Sequence, residues 1–451
     1  MALLELSEEA LLEHLVRTED PVSIAGSPDL NALLRRHRPL PDASSALPEK
    51  ILEITLNHTK HLSSKEETLS ILCSYISDCS VGLADTACSI AYEICRQELR
   101  LVATLMQHCS SLPVTAEIAC RFASVITKLI RVDDSAFLSC FNAGGVDFVV
   151  SLSKTDDILL QMVTLEFLSV FALTKEGLKY YFANDIPRYL LLLARGEEAG
   201  SEIFIRSSAL QIFADVCHLG SQHENGVVLM SLLQDSLVDD FLGALESNLE
   251  YSDESCKVAA INAVRSFSST SLPLLRRVLF QKRLVRIWLS LIDSKVEIQA
   301  VLISSVAHVL SHKFCMTDAA SKASESELKK QLYNEMNAIK PALTSFIVSG
   351  SRRPFPEIKQ ACYSLQAALA GTPWGLSALF GLQDFRVNIV DLSQEQTRDG
   401  KLWKFAVIEA AAGNESLSLF SEEVVVELTR AVERGPFYVS PQLLGPVAVD
   451  R

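Results

Sequence analysis

The sequence is poor in the residues that interrupt helices, with only 18 glycines and 15 prolines among 451 residues. Together they fall well below their usual combined share of about 12%, and this scarcity favours helices. The 11 cysteines are odd in number and follow no framework spacing, which argues against a disulfide-stapled secreted domain. The acidic amino-terminal segment MALLELSEEALLEHLV shows no sign of a signal or transit peptide. We therefore expect a reducing compartment, cytoplasmic or also nuclear.

Positive charge is also scarce, since 41 lysines and arginines face 55 aspartates and glutamates and leave a net charge of −14. A surface for nucleic acid or for an anionic membrane needs a clustered positive field, so both kinds of partner are disfavoured. The sequence has no run of 18 apolar residues, because even the segment from Ile158 to Leu173 contains Gln161 and Glu166. We therefore expect no membrane-spanning segment.

Motifs of common catalytic and nucleotide-binding sites are missing: the chain has no G-x-G-x-x-G, G-x-x-x-x-G-K-[ST], G-x-S-x-G, H-E-x-x-H or C-x-x-C. We expect a protein that is not an enzyme and takes no cofactor. His308, His312 and Cys315 could share a zinc ion, because histidines four residues apart lie on one helix face. A fourth ligand is not evident, so we favour the carboxyl end of a helix followed by a buried cysteine.

Apolar residues recur at helical spacing in block after block from about Leu83 onward, and each block ends at a turn signal. The stripes that begin at Leu83 and Ile118 share the offsets 0, 4, 7, 8 and 11. Further stripes begin at Leu159, Ile205, Val258, Ile298, Ile358 and Leu402. Most starts are separated by roughly the 40 to 47 residues of HEAT or armadillo units, which must stack to bury their apolar faces. The pattern predicts an all-α solenoid.

The clearest unit runs from Asn142 to Leu173 and resembles an armadillo repeat, with a glycine turn, a short helix, a polar turn and a long inner helix. Gly144 would let the chain turn sharply between helices. Either Asp156 or Asp157 can cap the long helix. This likeness indicates a fold and no function.

We expect a single solenoid domain over residues 1–434 and an extended carboxyl-terminal tail over residues 435–451. The polar segment 317–327, TDAASKASESE, lies in the longest gap between stripes and predicts an exposed, flexible loop or the start of a helix. A disordered linker between domains is the alternative. After Gly435 the chain has three prolines and no apolar stripe, which predicts an extended or frayed tail.

Basic residues gather in one segment, SLPLLRRVLFQKRLVRIW. They are Arg276, Arg277, Lys282, Arg283 and Arg286. One interpretation is a docking patch for an acidic partner surface. The other is an amphipathic helix pair whose arginine stems cover apolar surface while the charged heads stay in water.

The tryptophans argue against a nuclear-import adaptor. Relatives of importin-α and β-catenin display Trp and Asn one helical turn apart to clamp an extended peptide. Here Trp288, Trp374 and Trp403 are followed four residues later by isoleucine, alanine and valine.

Three segments of the carboxyl-terminal third carry a family resemblance. They are Pro354-Phe-Pro-Glu357, Gly371-Thr-Pro-Trp374 and Gly435-Pro-Phe-Tyr-Val-Ser-Pro441. In this order and spacing, residues 340–441 resemble the 26S proteasome non-ATPase regulatory subunit 5 family, although Phe437 stands where the family more often has tyrosine. Over residues 80–320 the resemblance is one of repeat rhythm only.

The resemblance implies a right-handed, curved solenoid whose concave groove binds the carboxyl-terminal domain of one AAA+ ATPase subunit, the first of the regulatory-particle ATPases. It implies a non-catalytic chaperone for assembly of the proteasome base, one that engages base-assembly intermediates and delays premature docking on the 20S core. The resemblance assigns no contact residue. The predicted partner-binding residues are therefore taken from the basic cluster: Arg276, Arg277, Lys282, Arg283 and Arg286. An armadillo-type adaptor or scaffold in signalling or trafficking is the alternative.

Overall fold

The structure is a computed structural model that describes residues 8–17, 21–25, 27, 29–37, 46–78, 80–111, 115–196, 202–222, 225–314, 318–392 and 395–438. Within these ranges every regular element is helical and no strand occurs, so the predicted all-α class is confirmed. The described residues up to Leu190, with Leu219–Gln234, form one compact unit, unit 1. Leu191–His218 and the described residues from Asp235 onward form another, unit 2.

The helices follow in short succession. The first fourteen are α1 Glu8–Arg17, α2 Pro21–Ala25, α3 Asp29–Arg36, α4 Ala46–Asn57, α5 Lys65–Asp78, α6 Val81–Gln97, α7 Leu101–Ser111, α8 Ala116–Ile130, α9 Asp134–Asn142, α10 Gly145–Leu152, α11 Ile158–Phe167, α12 Lys175–Ala183, α13 Ile186–Arg195 and α14 Ile203–Gly220. The others are α15 Asn225–Leu232, α16 Asp235–Leu249, α17 Glu254–Ser268, α18 Leu272–Phe280, α19 Lys282–Ser290, α20 Val296–Ser311, α21 Ala319–Ile339, α22 Leu343–Gly350, α23 Pro356–Ala370, α24 Pro373–Phe380, α25 Gln383–Asn388, α26 Arg398–Ala412 and α27 Glu422–Arg434. Short 3-10 segments lie at Thr59–His61, Leu168–Leu173, Leu291–Asp293 and Glu415–Leu419.

The long helices coincide with the apolar stripes of the sequence. Each predicted stripe start falls at or just after the first residue of a long helix, namely α6, α8, α11, α14, α17, α20, α23 and α26. In unit 2, α17 packs on α20, α20 on α23 and α23 on α26, so consecutive long helices share one continuous core. In unit 1, α6 packs on α8 and α8 on α11. A single solenoid over residues 1–434 stays a prediction.

The unit α9–α10–α11 shows how local sequence sets the repeat. Gly144 adopts a positive φ of 78° directly before α10, a conformation that glycine takes without steric cost. The Asp157 carboxylate accepts the Leu160 amide at 3.1 Å and caps α11, whereas Asp156 is exposed. The predicted glycine turn and polar cap are confirmed, and the cap is assigned to Asp157.

The face of α11 that is buried differs from the predicted one. The stripe that begins at Leu159 leaves that residue 76% exposed and Val163 46% exposed, while Leu160, Leu165 and Leu168 are buried. The segment ILLQMVTLEF is apolar on more than one face, so hydrophobicity alone does not select the packed side. The structure therefore leaves Leu159 and Val163 as an exposed apolar pair on α11.

In its described part, the segment 317–327 is the start of a helix, one of the two predicted forms, and not a flexible loop or a disordered linker, because α21 begins at Ala319. The Asp318 carboxylate accepts the Ser321 amide at 2.8 Å and caps the helix. Glu325 and Lys329 form an i,i+4 ion pair at 2.7 Å. The first two turns bury no apolar side chain, so they lack the periodic signal, and the first buried leucine is Leu328.

Three helices begin with the same Thr-x-x-Gly turn, in which the threonine hydroxyl accepts the glycine amide at 3.0 to 3.1 Å. The pairs are Thr174 and Gly177 in α12, Thr372 and Gly375 in α24, and Thr397 and Gly400 in α26. A Cβ atom at Gly375 would overlap the Leu369 carbonyl oxygen at the end of α23. Glycine is therefore needed here because the preceding helix end lies against the cap.

The chain leaves its last helix at Gly435, which has a φ of 76°. The Arg434 guanidinium lies 4.7 Å from the centre of the Tyr438 ring, and the Arg398 guanidinium lies 6.0 Å from that of Phe437. The last helix therefore ends at Arg434, directly before the predicted tail. The rest of the predicted extended tail, 439–451, lies outside the described residues.

All nine cysteines that the structure describes are free, eight of them buried and Cys120 half-buried. Burial raises the pKa of the Cys73 and Cys362 thiols to about 12. No single helix of the described chain is long and apolar enough to cross a membrane; α9 and α10 pass that criterion only as a pair bent by 80°.

Candidate partner-binding surface

The basic cluster lies on two consecutive helices of unit 2, α18 and α19. Ser271 caps α18 by accepting the Leu274 amide, and Pro273 occupies the first turn. One side of the pair is buried in the core, with Leu275 and Trp288 almost inaccessible. The five cations lie on the remaining surface, so the amphipathic helix pair that the sequence suggested is present, and the structure shows what each charged head contacts.

Two cations of the cluster pair with carboxylates of α16 and of Glu250, the residue that follows it. The Arg277 guanidinium lies 2.5 Å from Asp239. Arg283 donates to both carboxylate oxygens of Glu250 at 2.9 and 3.1 Å and lies 3.5 Å from Glu246. These bonds fix the two guanidinium groups along α16.

Two further cations contact α21, the helix that starts in the polar segment 317–327. Arg276 donates to the Ser324 hydroxyl at 2.8 Å, and the Lys282 ammonium lies 2.5 Å from Glu335. Exposed pairs of this kind contribute about 0–1 kcal/mol each, so they position side chains more than they stabilise the fold. The α21 helix therefore borders the basic cluster directly.

Arg286 differs from its neighbours. It is exposed on α19 and, within the described part of the chain, forms no ion pair or hydrogen bond. Four of the five predicted residues thus have partners on adjacent helices, and Arg286 leaves its charge open to another molecule. The structure places all five basic residues on the α18–α19 pair and does not identify a binding partner.

The histidines that suggested a metal site lie at the end of α20. The His308 and His312 ring centres are 6.0 Å apart, and His218 lies 6.2 Å from His312. Cys315 lies outside the described residues. Among the residues that are described, no group of three histidine, cysteine, aspartate or glutamate side chains could hold a metal ion.

Burial is the main reason why the pKa values of His308 and His312 are lowered. Arg265 and His218 lower the pKa of His308 further. The pKa of His312 is lowered further by His308, His218 and Lys329 and is raised by Glu325. The Lys329 ammonium also donates to the His312 carbonyl at the end of α20. The terminal carbonyl of this helix is therefore met by a lysine from α21.

A polar cavity that the sequence reasoning missed lies among α22, α23, α25 and α26 of unit 2. Its volume is about 220 Å³. The ionisable side chains on its wall are Arg352, Lys359, Tyr363, Asp384, Glu395 and Lys404. One signal could have found it: Lys404 precedes Ile408 and Ala411 at helical spacing, which places a lysine on the buried stripe of α26.

Comparison with protein families gives one match that covers most of the chain. A family described as "Proteasome non-ATPase 26S subunit" matches residues 49–450. This range includes the described residues of the basic cluster, of the polar cavity and of nearly all the long helices.

Two curated relatives are both described as "26S proteasome non-ATPase regulatory subunit 5". The one from Homo sapiens is 29% identical over 92 residues, which are 20% of this chain and 18% of the relative. The one from Bos taurus is 20% identical over 336 residues, which are 71% of this chain and 62% of the relative. The chain therefore matches less than two thirds of the length of either relative.

Similar solved structures include an engineered protein that covers 95% of this chain and 98% of its own length, at 13% identity and a TM-score of 0.45. Another is a computationally designed armadillo repeat protein for modular peptide recognition, which covers 60% of this chain and 99% of its own length, at 11% identity and a TM-score of 0.36.

Proposed function

The chain belongs to the proteasome non-ATPase 26S subunit family, and from this membership we propose that it is a non-catalytic chaperone for assembly of the 26S proteasome regulatory-particle base. The observation that supports this role is the family match over residues 49–450, which extends through both compact units. A chaperone of this kind acts by occupying a surface and needs no catalytic residues.

The proposed partner is the carboxyl-terminal domain of one AAA+ ATPase subunit, alone and within base-assembly intermediates. While bound in the concave groove that the family resemblance implies, the chain would cover ATPase surface and delay premature docking on the 20S core. A specific interface of this kind buries about 1,200 Å² or more in total. Stacked repeats supply such an area without moving parts.

The surface of α18 and α19 is the proposed place of electrostatic contact. Arg286 is open to a partner carboxylate, and Arg276, Arg277, Lys282 and Arg283 could exchange their exposed partners for groups of the ATPase domain. Charges at the rim of an interface mainly raise the association rate and fix the register. Binding should therefore weaken as the salt concentration rises.

Titration calorimetry tests the proposal with the full chain and the isolated carboxyl-terminal domain of each proteasomal ATPase, measured separately. We expect one domain to bind with a dissociation constant of about 1 μM or lower, which corresponds to about −8 kcal/mol, and the others to bind at least tenfold more weakly. If no domain binds the folded chain, or if all bind equally, the chaperone assignment is wrong and an adaptor or scaffold role takes its place.

Arg286→Glu tests the surface without breaking a bond seen in the structure. We expect a reduced association rate and a shallower salt dependence for the ATPase domain that binds. Lys60→Glu is the matched control, because it reverses an exposed cation in the other compact unit. Equal association rates for the two folded variants would remove α18 and α19 from the interface.

A further inference from the structure

The polar cavity of unit 2 contains a buried cation that forms no ion pair with a described side chain. Lys404 projects from α26 and is 5% exposed. Its ammonium donates to the Asp391 backbone carbonyl at 2.6 Å, and within the described residues it forms no ion pair. An ammonium group has three N–H donors and carries a full charge that is costly to bury. Two donors of Lys404 therefore have no acceptor among the described residues.

The carboxylates of the cavity are already engaged elsewhere. Glu395, also 5% exposed, accepts from the Lys359 ammonium at 2.9 Å and from the Tyr363 hydroxyl at 2.5 Å. Asp384 accepts from the Arg352 guanidinium at 2.8 Å. Of the three cations that line the cavity, Lys404 alone lacks a carboxylate partner in the described chain.

The position of Glu395 is built into the fold. A Cβ atom at Gly400 would lie 2.5 Å from the Glu395 carboxylate, so a larger residue in the first turn of α26 would require that carboxylate to shift. The amino terminus of a helix favours a carboxylate. Glu395 is thus held toward Lys359 and Tyr363.

The remaining wall of the cavity is apolar in part, and Ser351, Gln366 and Asn388 add neutral polar groups to it. Val348, Phe385 and Ile389 line it beside the charged groups. An engineered apolar cavity of about 150 Å³ holds a benzene molecule, so a volume of about 220 Å³ has room for a small organic group. A ligand that fits both walls has a negatively charged end and a short hydrocarbon body.

We propose that this cavity is a binding site for a carboxylate with an apolar body, whose charged end receives the free donors of the Lys404 ammonium while its hydrocarbon part packs against Phe385 and Ile389. A charge-assisted hydrogen bond of this kind is stronger than a neutral one. The site is independent of the proposed chaperone function, and either can fail without the other.

The protonation of Lys404 adds a pH dependence to this site. The pKa of Lys404 is lowered to about 8, chiefly by burial; Asp391 and Glu395 oppose this shift, and the nearby Arg352 and Lys359 add to it. The ammonium form, which binds a carboxylate, therefore predominates below about pH 8. Binding should be weaker at pH 9 than at pH 7.

Two pairs of small probes test the proposal on the full chain by titration calorimetry at pH 7. The first is 4-methylpentanoate against 4-methylpentanamide, which differ only in the charged group. The second is N-acetyl-leucine against N-acetyl-leucinamide, which mimics the last residue of a peptide. We expect each acid to bind at least tenfold more tightly than its amide. Tighter binding of N-acetyl-leucine would identify the ligand as a peptide terminus. Tighter binding of 4-methylpentanoate would identify it as a small metabolite.

Lys404→Met should weaken binding of the preferred acid at least tenfold, because it keeps the hydrocarbon stem and removes the charge. Lys401→Met, three residues earlier on α26 and outside the cavity wall, is the matched control and should bind as the unmodified chain does. The proposal is overturned if neither acid binds, if acid and amide bind equally, if inorganic phosphate binds more tightly than both acids, or if folded Lys404→Met retains full affinity. The comparison of acids with amides needs no variant, so it decides the matter even if Lys404→Met fails to fold.

Discussion

Replacement of Gly375 by alanine should destabilise unit 2, although alanine is the better helix former. Gly375 lies in the first turn of α24, where its amide donates to the Thr372 hydroxyl. A methyl group at this position would overlap the Leu369 carbonyl oxygen and lie 2.6 Å from the Thr372 hydroxyl. Backbone atoms cannot move aside as a flexible side chain can. The end of α23 and the start of α24 must therefore separate.

The size of the effect follows from two opposing contributions. Overpacking of this kind typically costs about 1–3 kcal/mol, and disturbance of the Thr372 cap adds about 1 kcal/mol. The higher helix propensity of alanine raises the free energy of unfolding by at most about 1 kcal/mol. We expect a net loss of about 1–3 kcal/mol in the free energy of unfolding. For a unit of this size, that loss lowers Tm by about 2–10 °C.

Gly243→Ala is the matched control in the same unit. Gly243 lies inside α16, and the nearest atom to a Cβ there is a guanidinium nitrogen of Arg195 at 3.9 Å, an ordinary contact. The same substitution should therefore stabilise unit 2 by up to about 1 kcal/mol. Thermal and urea unfolding, followed by circular dichroism at 222 nm, measures both variants. The reasoning is refuted if Gly375→Ala raises Tm as Gly243→Ala does.

Three further predictions concern caps, a buried amide and pH. Asp157→Ala should lower the free energy of unfolding by about 0.5–2 kcal/mol through loss of the α11 cap, whereas Asp156→Ala should change it by less than about 0.5 kcal/mol; urea unfolding compares them. Asn248→Ala should cost about 1–3 kcal/mol by the same assay, because the buried amide donates to two backbone carbonyls at 2.8 and 2.9 Å. Burial lowers the pKa of His308 and His312 below the unfolded value of 6.5, so the unfolded state takes up protons first as the pH falls. Stability should then decline from about pH 7 toward pH 5, and replacement of both histidines by glutamine should flatten that decline in urea unfolding curves; an unchanged slope would contradict this.

The long helices could be predicted from the sequence because each must bury a stripe at helical spacing. The stripes from Leu83 and Ile118 show this, since their shared offsets reflect the same packing in α6 and α8. Where a helix is apolar on all sides, as α11 is, composition does not tell which side is packed. The apolar stripe predicts a buried Leu159, and this prediction is wrong because the residue is exposed. The neighbouring helices decide that face.

Helices in polar segments are hard to predict from the sequence for the opposite reason. The start of α21 is stabilised by the Asp318 cap, by helix propensity and by the ion pair of Glu325 with Lys329, none of which produces an apolar period. The polar cavity was missed because its members come from separate elements. Only the fold places Glu395 against Tyr363 and leaves Lys404 without a carboxylate partner among the described residues.

The buried thiols allow local opening of the helices to be measured by cysteine alkylation. A thiol reacts only as the exposed thiolate, and burial that raises the pKa of Cys73, Cys140 and Cys362 to about 12 leaves almost none in the closed state. Alkylation of each site therefore proceeds at the rate at which its own helix opens to solvent. These cysteines lie on α5, α9 and α23. The order in which they are alkylated therefore gives the order in which these three helices open to solvent.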